Sequence, residues 1–393
     1  MAEQDGYAAL LARARDLVPG LRERAAETEA LRRLPDATIA DLQSTGLFHA
    51  YQPARFGGIE APIHGFVELG AMLARGCGST SWVLNNLASH NWMLGYWPPA
   101  AQEDVWGEDP ATLIGSGLIM SGGRAGKVAG GYRLAGRWPF SSGIDAVRWV
   151  MLGGLVAPES GGQPLPHLFL VPRLDYTVID TWHVMGLAGT GSKDVAVADA
   201  FVPEHRALAA SAGLGGLHRG SAANPGPLYR LPWYPLFSFV NAGTPLGIAQ
   251  GAVEQFTAAA RDVVARYSGR QLAEFATVQL RLAEVATQID AAETLMLRDC
   301  DAAMALAEAD RLPALEERAR WRRDGAFAAQ LAARAVDLLF AAAGGGAILM
   351  THPLQRALRD VHASNGHIGV SWDLNATVYG RVALGLAPDF APL

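Results

Sequence analysis

The chain reads Arg137-Trp138-Pro139-Phe140-Ser141-Ser142-Gly143 and, further along, Met185-Gly186-Leu187-Ala188-Gly189-Thr190-Gly191-Ser192. Each stretch has the composition of a turn that carries hydroxyl side chains, the first next to aromatic rings and the second between glycines. Both lie among short apolar runs typical of β-strands. Hydroxyl-bearing turns on a sheet suit a planar polar cofactor, and the pattern favours a flavin.

The residues around these turns predict a β-domain between two helical regions. Short runs rich in branched and aromatic residues fill 111–210, and helical periodicity fills 1–110. Glycine, proline and aromatic residues in 211–235 predict an irregular connection that acts as a substrate lid. Residues 236–393 predict a bundle of four helices. Their expected bounds are about Pro245 to Tyr267, Leu272 to Ala307, Leu315 to Ala343 and Pro353 to Leu386.

The composition indicates a globular protein with small-molecule partners. Half of the 393 residues are hydrophobic, the formal net charge is −6 and the pI is about 5.9. This acidic balance, without a concentrated basic patch, argues against nucleic-acid or membrane binding. Cys77 and Cys300 form no metal-ligand or redox spacing, and the N-terminus has no signal-peptide pattern. We therefore expect a cytoplasmic protein with no metal.

Four motifs, in this order, resemble the acyl-CoA dehydrogenase family over essentially the whole chain. They are the first stretch above, Trp182-x-x-Met185-Gly186-x-x-Gly189-Thr190-Gly191-Ser192-x-Asp194-Val195, Pro245-Leu246-Gly247-Ile248-Ala249-Gln250-Gly251-Ala252, and Gly344-Gly345-Gly346 followed by Leu354-Gln355-Arg356-x-x-Arg359-Asp360. The resemblance implies a mainly α protein with a β-domain: an N-terminal helical domain, a middle β-barrel or sandwich and a C-terminal four-helix bundle.

Within that family the chain looks more like the flavin-dependent monooxygenases than like the dehydrogenases. A dehydrogenase needs a carboxylate base to remove the substrate α-proton. The two regions where the family places that base read Phe237-Ser238-Phe239-Val240-Asn241 and His362-Ala363-Ser364-Asn365-Gly366-His367-Ile368, and neither contains Asp or Glu. A helix carrying His362 and His367 resembles the oxygenase components of hydroxyphenylacetate and seco-steroid phenol hydroxylases.

That resemblance implies the oxygenase component of a two-component monooxygenase. The cofactor would be reduced FMN or reduced FAD, with FMNH2 favoured, and O2 would be the co-substrate through a flavin C4a-hydroperoxide. A separate NAD(P)H:flavin reductase would supply the flavin, since the sequence contains no nicotinamide-binding motif. The substrate would be a small aromatic compound, a phenol by family analogy, and the assembly would be a homotetramer.

The resemblance also implies catalytic roles for His90, Ser116 and His367. A hydroxyl such as Ser116 or Ser142 would face flavin N5, and His90 or His367 would accept the phenolic proton. A lone histidine on a helix is more often a structural residue, and His362 is expected to be structural because it lies off the His367 face.

Cofactor contacts are implied for Trp138, Phe140, Ser141, Ser142, Thr190, Ser192 and Arg266. The hydroxyls could instead only close turns. Arg266 resembles the family's flavin-tail arginine and could equally be a cation at a helix end. No Gly-x-Gly-x-x-Gly motif follows a strand, so a Rossmann site is not expected.

Aromatic residues predict the substrate cavity. Its expected lining is Trp92, Trp97, Phe140, Trp233, Tyr234, Phe237 and Phe239. Three other functions fit the same sequence: N- or S-oxygenation with the same chemistry, an acyl-CoA dehydrogenase-like FAD oxidoreductase, and a flavin-free scaffold or ligand-binding protein. The sequence does not distinguish among substrates.

Overall fold

A computed structural model of the chain describes residues 2–158, 162–264 and 269–389. Its first part is helical, as predicted. The helices are α1 (Ala2–Glu23), α2 (Ala25–Leu31), α3 (Asp36–Ser44), α4 (Gly65–Ala74), α5 (Gly78–Leu94) and α6 (Pro99–Trp106). Helix α5 is buried along almost its whole length, since it packs on α4, on the bundle and on the first strand of the sheet.

The β-domain is a mixed eight-stranded sheet. Its strands are β1 (Ile114–Gly117), β2 (Gly123–Val128), β3 (Gly131–Ser141), β4 (Trp149–Val156), β5 (Leu165–Pro172), β6 (Thr177–Ile179), β7 (Lys193–Pro203) and β8 (Ala207–Ala209). They pair in the order β6-β7-β3-β2-β4-β5-β8, with β1 beside β4. Only β1–β4 and β2–β4 are parallel pairs among these strands.

The pairing of β3 with β7 brings the two hydroxyl turns together. Ser141, the last residue of β3, pairs with Lys193, the first residue of β7. The register shifts between Trp138 and Ser141, which marks a β-bulge in β3. The ends of these two strands therefore form one platform at the edge of the sheet.

The C-terminal part is a helical bundle whose bounds differ from the prediction at two places. It consists of α7 (Trp233–Asp262), α8 (Ala276–Glu308), α9 (Leu315–Ala342), α10 (Pro353–Asn365) and α11 (Trp372–Ala383). Helix α7 begins at Trp233, so Pro245 lies inside it, because close packing on α4 outweighs the lost backbone donor. A Cβ at Gly247 would come within 2.1 Å of the Ala71 carbonyl oxygen.

The predicted fourth helix is broken between α10 and α11. Gly366 and Gly369 lie in the break, where glycine lowers helix propensity. His367 therefore lies on a loop between two helices, and the expectation of one helix carrying His362 and His367 is wrong.

One helix, α9, is long and apolar enough by length and composition to cross a membrane. However, 56% of its most apolar window is buried inside the protein. Its neighbours are α7, α8, α10 and α11. It has the character of a core helix.

Trp138 belongs to the core of the β-domain, which corrects its prediction as a cofactor contact. Its side chain has no exposed surface, and its indole nitrogen donates to the Gly153 carbonyl oxygen at 2.7 Å. Glycines 117, 122, 123 and 136 pack around the ring, since a Cβ at each of them would lie within 3 Å of it. No edge of the indole is left for a ligand.

We expect Trp138→Ala to lower the free energy of unfolding by about 3–5 kcal/mol, the usual cost of removing a buried large aromatic side chain. Urea denaturation followed by far-UV circular dichroism measures this change. A cofactor role would instead give a variant of near-normal stability with impaired flavin binding.

Candidate active site

Three hydroxyl groups from the two turns form a buried hydrogen-bonded chain, which we call the hydroxyl chain: Ser142, Ser192 and Thr190. The Oγ atoms of Ser142 and Ser192 are 2.8 Å apart, and Ser192 Oγ lies 2.7 Å from Thr190 Oγ1. Thr190 Oγ1 donates to the Leu187 carbonyl oxygen at 2.8 Å. The structure thus brings together three of the predicted cofactor residues.

Phe140 lies beside this chain in a strained and exposed conformation. Its φ of 66° is in the left-handed region, which costs a non-glycine residue about 1–3 kcal/mol. The bulge turns its ring outward, where it is 64% exposed and meets the edge of Trp182 at a centroid distance of 6.0 Å. Next to it, the Oγ of Ser141 is buried and has no hydrogen-bond partner among the described residues.

These features fit a flavin. An exposed aromatic ring offers an apolar contact for the isoalloxazine, and the orphan hydroxyl of Ser141 together with the hydroxyl chain matches its polar edge. A cavity of about 250 Å³ borders the same turns at Gly143 and Thr190. Arg266, the predicted contact for the flavin tail, lies outside the described residues.

His90 is held on α5 against the start of β1. Its Nδ1 lies 2.7 Å from the Ile114 carbonyl oxygen, so Nδ1 carries the proton and donates it. Burial lowers the pKa of His90 to about 4, which keeps the ring neutral. The Nε2 lone pair is then the basic atom. Ser116 follows Ile114 by two residues on the same face of β1.

His367 has the opposite tautomer. Its Nδ1 accepts a hydrogen bond from the Gly369 backbone N–H at 3.1 Å, so the proton of the neutral ring is on Nε2. Desolvation lowers the pKa of His367 to about 4. One neutral imidazole therefore offers a lone pair and the other offers an N–H.

Trp82 connects His367 to the hydroxyl chain, and sequence reasoning missed it. Its indole nitrogen donates to Ser142 Oγ at 3.2 Å, and its ring meets the His367 ring edge-on at 5.5 Å. The available signal was its place on α5, two turns before His90.

Asn241 on α7 is a second residue that the sequence analysis did not single out. Its Nδ2 donates to the Phe237 carbonyl oxygen at 2.7 Å, while its buried Oδ1 has no hydrogen-bond partner in the part of the chain that the structure describes. A Cβ placed on Gly369 would be 3.1 Å from Asn241 Nδ2 and 3.2 Å from His367 Nδ1. The sequence signal that could have identified Asn241 is a carboxamide side chain within a nearly continuous apolar stretch.

Four residues predicted to line the substrate cavity are instead packing residues. They have no exposed surface: Trp92, Trp97, Trp233 and Phe239. The Trp92 indole donates to the Leu228 carbonyl oxygen at 2.9 Å, and the Trp233 ring packs on Trp97, which is also fully buried. These rings are enclosed by protein, so their prediction as cavity lining is corrected.

Tyr234 and Phe237 keep part of their surface exposed at the start of α7. Their rings meet edge-on at a centroid distance of 6.4 Å, and the Tyr234 hydroxyl donates to the Ala210 carbonyl oxygen at 3.1 Å. Both rings lie on α7, within two turns before Asn241, whose side chain bonds the Phe237 carbonyl oxygen and lies close to Gly369 and His367. They remain the predicted aromatic contacts of a substrate.

Comparison with known proteins places this arrangement in a family. Residues 239–372 match the acyl-CoA dehydrogenase, C-terminal domain model. The chain is 37% identical, over 98% of its length and 97% of the relative's, to the FADH(2)-dependent resorcinol hydroxylase, oxygenase component, of Rhizobium sp. (strain MTP-10005).

Solved structures agree with this relationship. The HsaA monooxygenase from M. tuberculosis superposes with a TM-score of 0.92 at 36% identity, covering 98% of this chain and 99% of that one. XiaF from Streptomyces sp., solved in complex with FADH2 and glycerol, gives a TM-score of 0.92 at 30% identity, covering 100% and 99%. The predicted fold class is confirmed.

Proposed function

Since this chain belongs to the flavin-dependent oxygenase components of the acyl-CoA dehydrogenase family, we propose that it hydroxylates a phenol with reduced flavin that a separate reductase supplies. Bound reduced flavin would provide two electrons and activate O2, so that one oxygen atom enters an aromatic C–H bond and the other leaves as water. The observation that carries the proposal is the pair of neutral histidines with opposite tautomers.

The two histidines divide the proton chemistry of a phenol. His90 Nε2 has a free lone pair and accepts the phenolic proton, which raises electron density on the ring. Ser116, on the strand that fixes His90, orients the phenolic oxygen. His367 Nε2–H donates a hydrogen bond to oxygen and holds negative charge there.

The residues of the sheet edge hold the cofactor in this proposal. The hydroxyl chain and Ser141 bond the polar edge of the ring system, and Phe140 covers its apolar part. Reduced FAD is the proposed form rather than the FMNH2 favoured above, because the names of two relatives specify FADH2. Equilibrium binding of both reduced flavins under anaerobic conditions tests this choice.

The proposed assembly is a homotetramer in the cytoplasm. Three consecutive apolar residues, Ile348, Leu349 and Met350, are 60–69% exposed in the single chain, as are the Phe140 and Met185 side chains near the cofactor turns. Exposed apolar runs of this kind usually mark an interface. Analytical ultracentrifugation measures the assembly.

The functional test supplies the protein with reduced FAD from a flavin reductase and NADH, and follows product formation by mass spectrometry. Resorcinol, which one relative's name contains, and other monohydric and dihydric phenols are offered beside an acyl-CoA and a thioether. A hydroxylated phenol is the expected product. Oxidation of the acyl-CoA alone would support the dehydrogenase alternative, and oxidation of the thioether alone would support S-oxygenation.

We expect Ser142→Ala to weaken reduced-flavin binding by about tenfold, because removal of one hydrogen bond at the Ser142 end of the hydroxyl chain costs about 1–1.5 kcal/mol. Anaerobic fluorescence titration measures the dissociation constant. Ser44→Ala is the matched control, since Ser44 is exposed and bonds only within α3. Equal affinities of the two variants would remove Ser142 from the cofactor site.

A further inference from the structure

A buried carboxylate that has no part in the proposed chemistry ties the second turn to the bundle. Asp360 of α10 accepts a hydrogen bond from the Leu187 backbone N–H at 2.6 Å, and its side chain is almost fully buried. Leu187 has a φ of 52°, in the left-handed region. The contact therefore holds a strained peptide in place.

The neighbouring residue of α10 holds the same turn. Arg359 donates from Nη1 to the Met185 carbonyl oxygen at 2.7 Å and also pairs with Glu29 of α2. At Gly186, a Cβ would come within 2.2 Å of the Arg359 carbonyl oxygen, so only glycine permits this close approach. Two side chains and a glycine thus fasten residues 185–187 directly onto α10.

Leu187 links this attachment to the hydroxyl chain. Its N–H bonds Asp360, while its carbonyl oxygen accepts from the Thr190 hydroxyl at 2.8 Å and from the Thr190 N–H at 3.1 Å. Thr190 continues to Ser192 and Ser142. A continuous hydrogen-bonded path therefore runs from α10 to the proposed cofactor groups.

The same helix also fixes the position of His367. Helix α10 ends at Asn365, two residues before His367, and the Asn365 side chain donates to the Ala329 carbonyl oxygen of α9 at 3.0 Å. A shift of α10 relative to the turn would therefore change the distance between the hydroxyl chain and His367.

Stability alone gives a weak reason to keep a carboxylate here. Burial raises the pKa of Asp360 to about 6, because its charged form is poorly solvated. Burying a charge with incomplete pairing is costly, and such groups concentrate where position matters.

We propose that Asp360 is a positioning residue, which holds the Leu187 peptide so that the cofactor turn and His367 keep a fixed separation. The inference rests on the proposed function for its catalytic consequence, although the attachment itself involves only residues of this chain. Loss of the contact would free the turn, weaken flavin binding and divert reducing equivalents to hydrogen peroxide instead of product.

The test compares wild type with Asp360→Ala and Asp360→Asn. Asp337→Asn is the matched control, because that exposed carboxylate pairs with His362 and, in the described part of the chain, makes no hydrogen bond to residues 185–187. Amide hydrogen exchange of residues 185–192, anaerobic flavin binding, thermal stability and the ratio of peroxide to hydroxylated product are measured for each variant.

In wild type, the Leu187 amide should exchange slowly. Asp360→Ala should speed exchange in this segment by at least tenfold, weaken flavin binding about tenfold and raise the peroxide ratio severalfold. Asp360→Asn, which keeps an acceptor oxygen, should stay within threefold of wild type in exchange and binding.

Unprotected Leu187 exchange in wild type, or unchanged exchange and binding in a folded Asp360→Ala, would overturn the inference. The wild-type exchange measurement decides the matter even when Asp360→Ala does not fold. Absence of flavin binding by wild type would instead count against the proposed function, and the exchange results would still test the attachment.

Discussion

Replacement of His367 by alanine is expected to lower the rate of phenol hydroxylation by about 10²- to 10³-fold, the range for loss of a hydrogen-bond donor positioned at a developing negative charge. Flavin affinity should change by less than about threefold, because within the described residues His367 reaches the hydroxyl chain through the edge of the Trp82 ring and not through a hydrogen bond. Single-turnover product formation with prebound reduced flavin separates the two quantities. The lost reducing equivalents should appear as hydrogen peroxide.

His362→Ala is the control for this experiment. His362 lies five residues earlier, is exposed and bonds Asp337 at 2.8 Å. It should retain wild-type turnover. Unchanged turnover in His367→Ala would remove His367 from the mechanism and leave His90 as the sole candidate histidine of the two.

Replacement of His90 by asparagine should give a loss of similar size that depends on pH. Asparagine can still donate to the Ile114 carbonyl oxygen but has no basic nitrogen, so the strand contact persists while the base is removed. At neutral pH we expect about a 10²-fold or greater decrease in hydroxylation. As the pH approaches about 10, where a phenol ionises by itself, the deficit should shrink.

The wild-type rate should depend little on pH below neutrality. Because burial lowers the pKa of His90 to about 4, its lone pair is available above that pH and is lost as the pH falls through it. Wild-type single-turnover rates should therefore stay nearly constant from neutral pH down to about 5. A His90→Asn deficit that does not change with pH would assign His90 a structural role.

Much of the fold could be predicted, since motif order and periodicity specify which segments are helices and strands. The residues of the site were harder to predict where a local irregularity of the backbone changes the direction of a side chain. By strand alternation Trp138 and Phe140 should share a face, but the bulge between Trp138 and Ser141 turns Phe140 outward and leaves Trp138 in the core. Residue type alone does not reveal such a bulge.

The residues predicted to line the substrate cavity show a second reason why the site could not be fully predicted. Aromatic residues such as Trp92, Trp233 and Phe239 are found both in cavity linings and in cores. Only the three-dimensional packing shows that their rings are enclosed. Trp82 and Asn241 were missed for the converse reason. Their importance comes from contacts with Ser142 and with the Gly369 turn, which are distant in sequence.

The most direct test of the account is isotopic. The protein with prebound reduced FAD is mixed anaerobically with a phenol and then with buffer containing ¹⁸O₂, and the product is analysed by mass spectrometry. We expect a hydroxylated phenol that carries one ¹⁸O atom from O2. Two results would contradict phenol hydroxylation by O2. One is that every phenol yields hydrogen peroxide as the only oxygen-derived product, and the other is a product whose new oxygen comes from water.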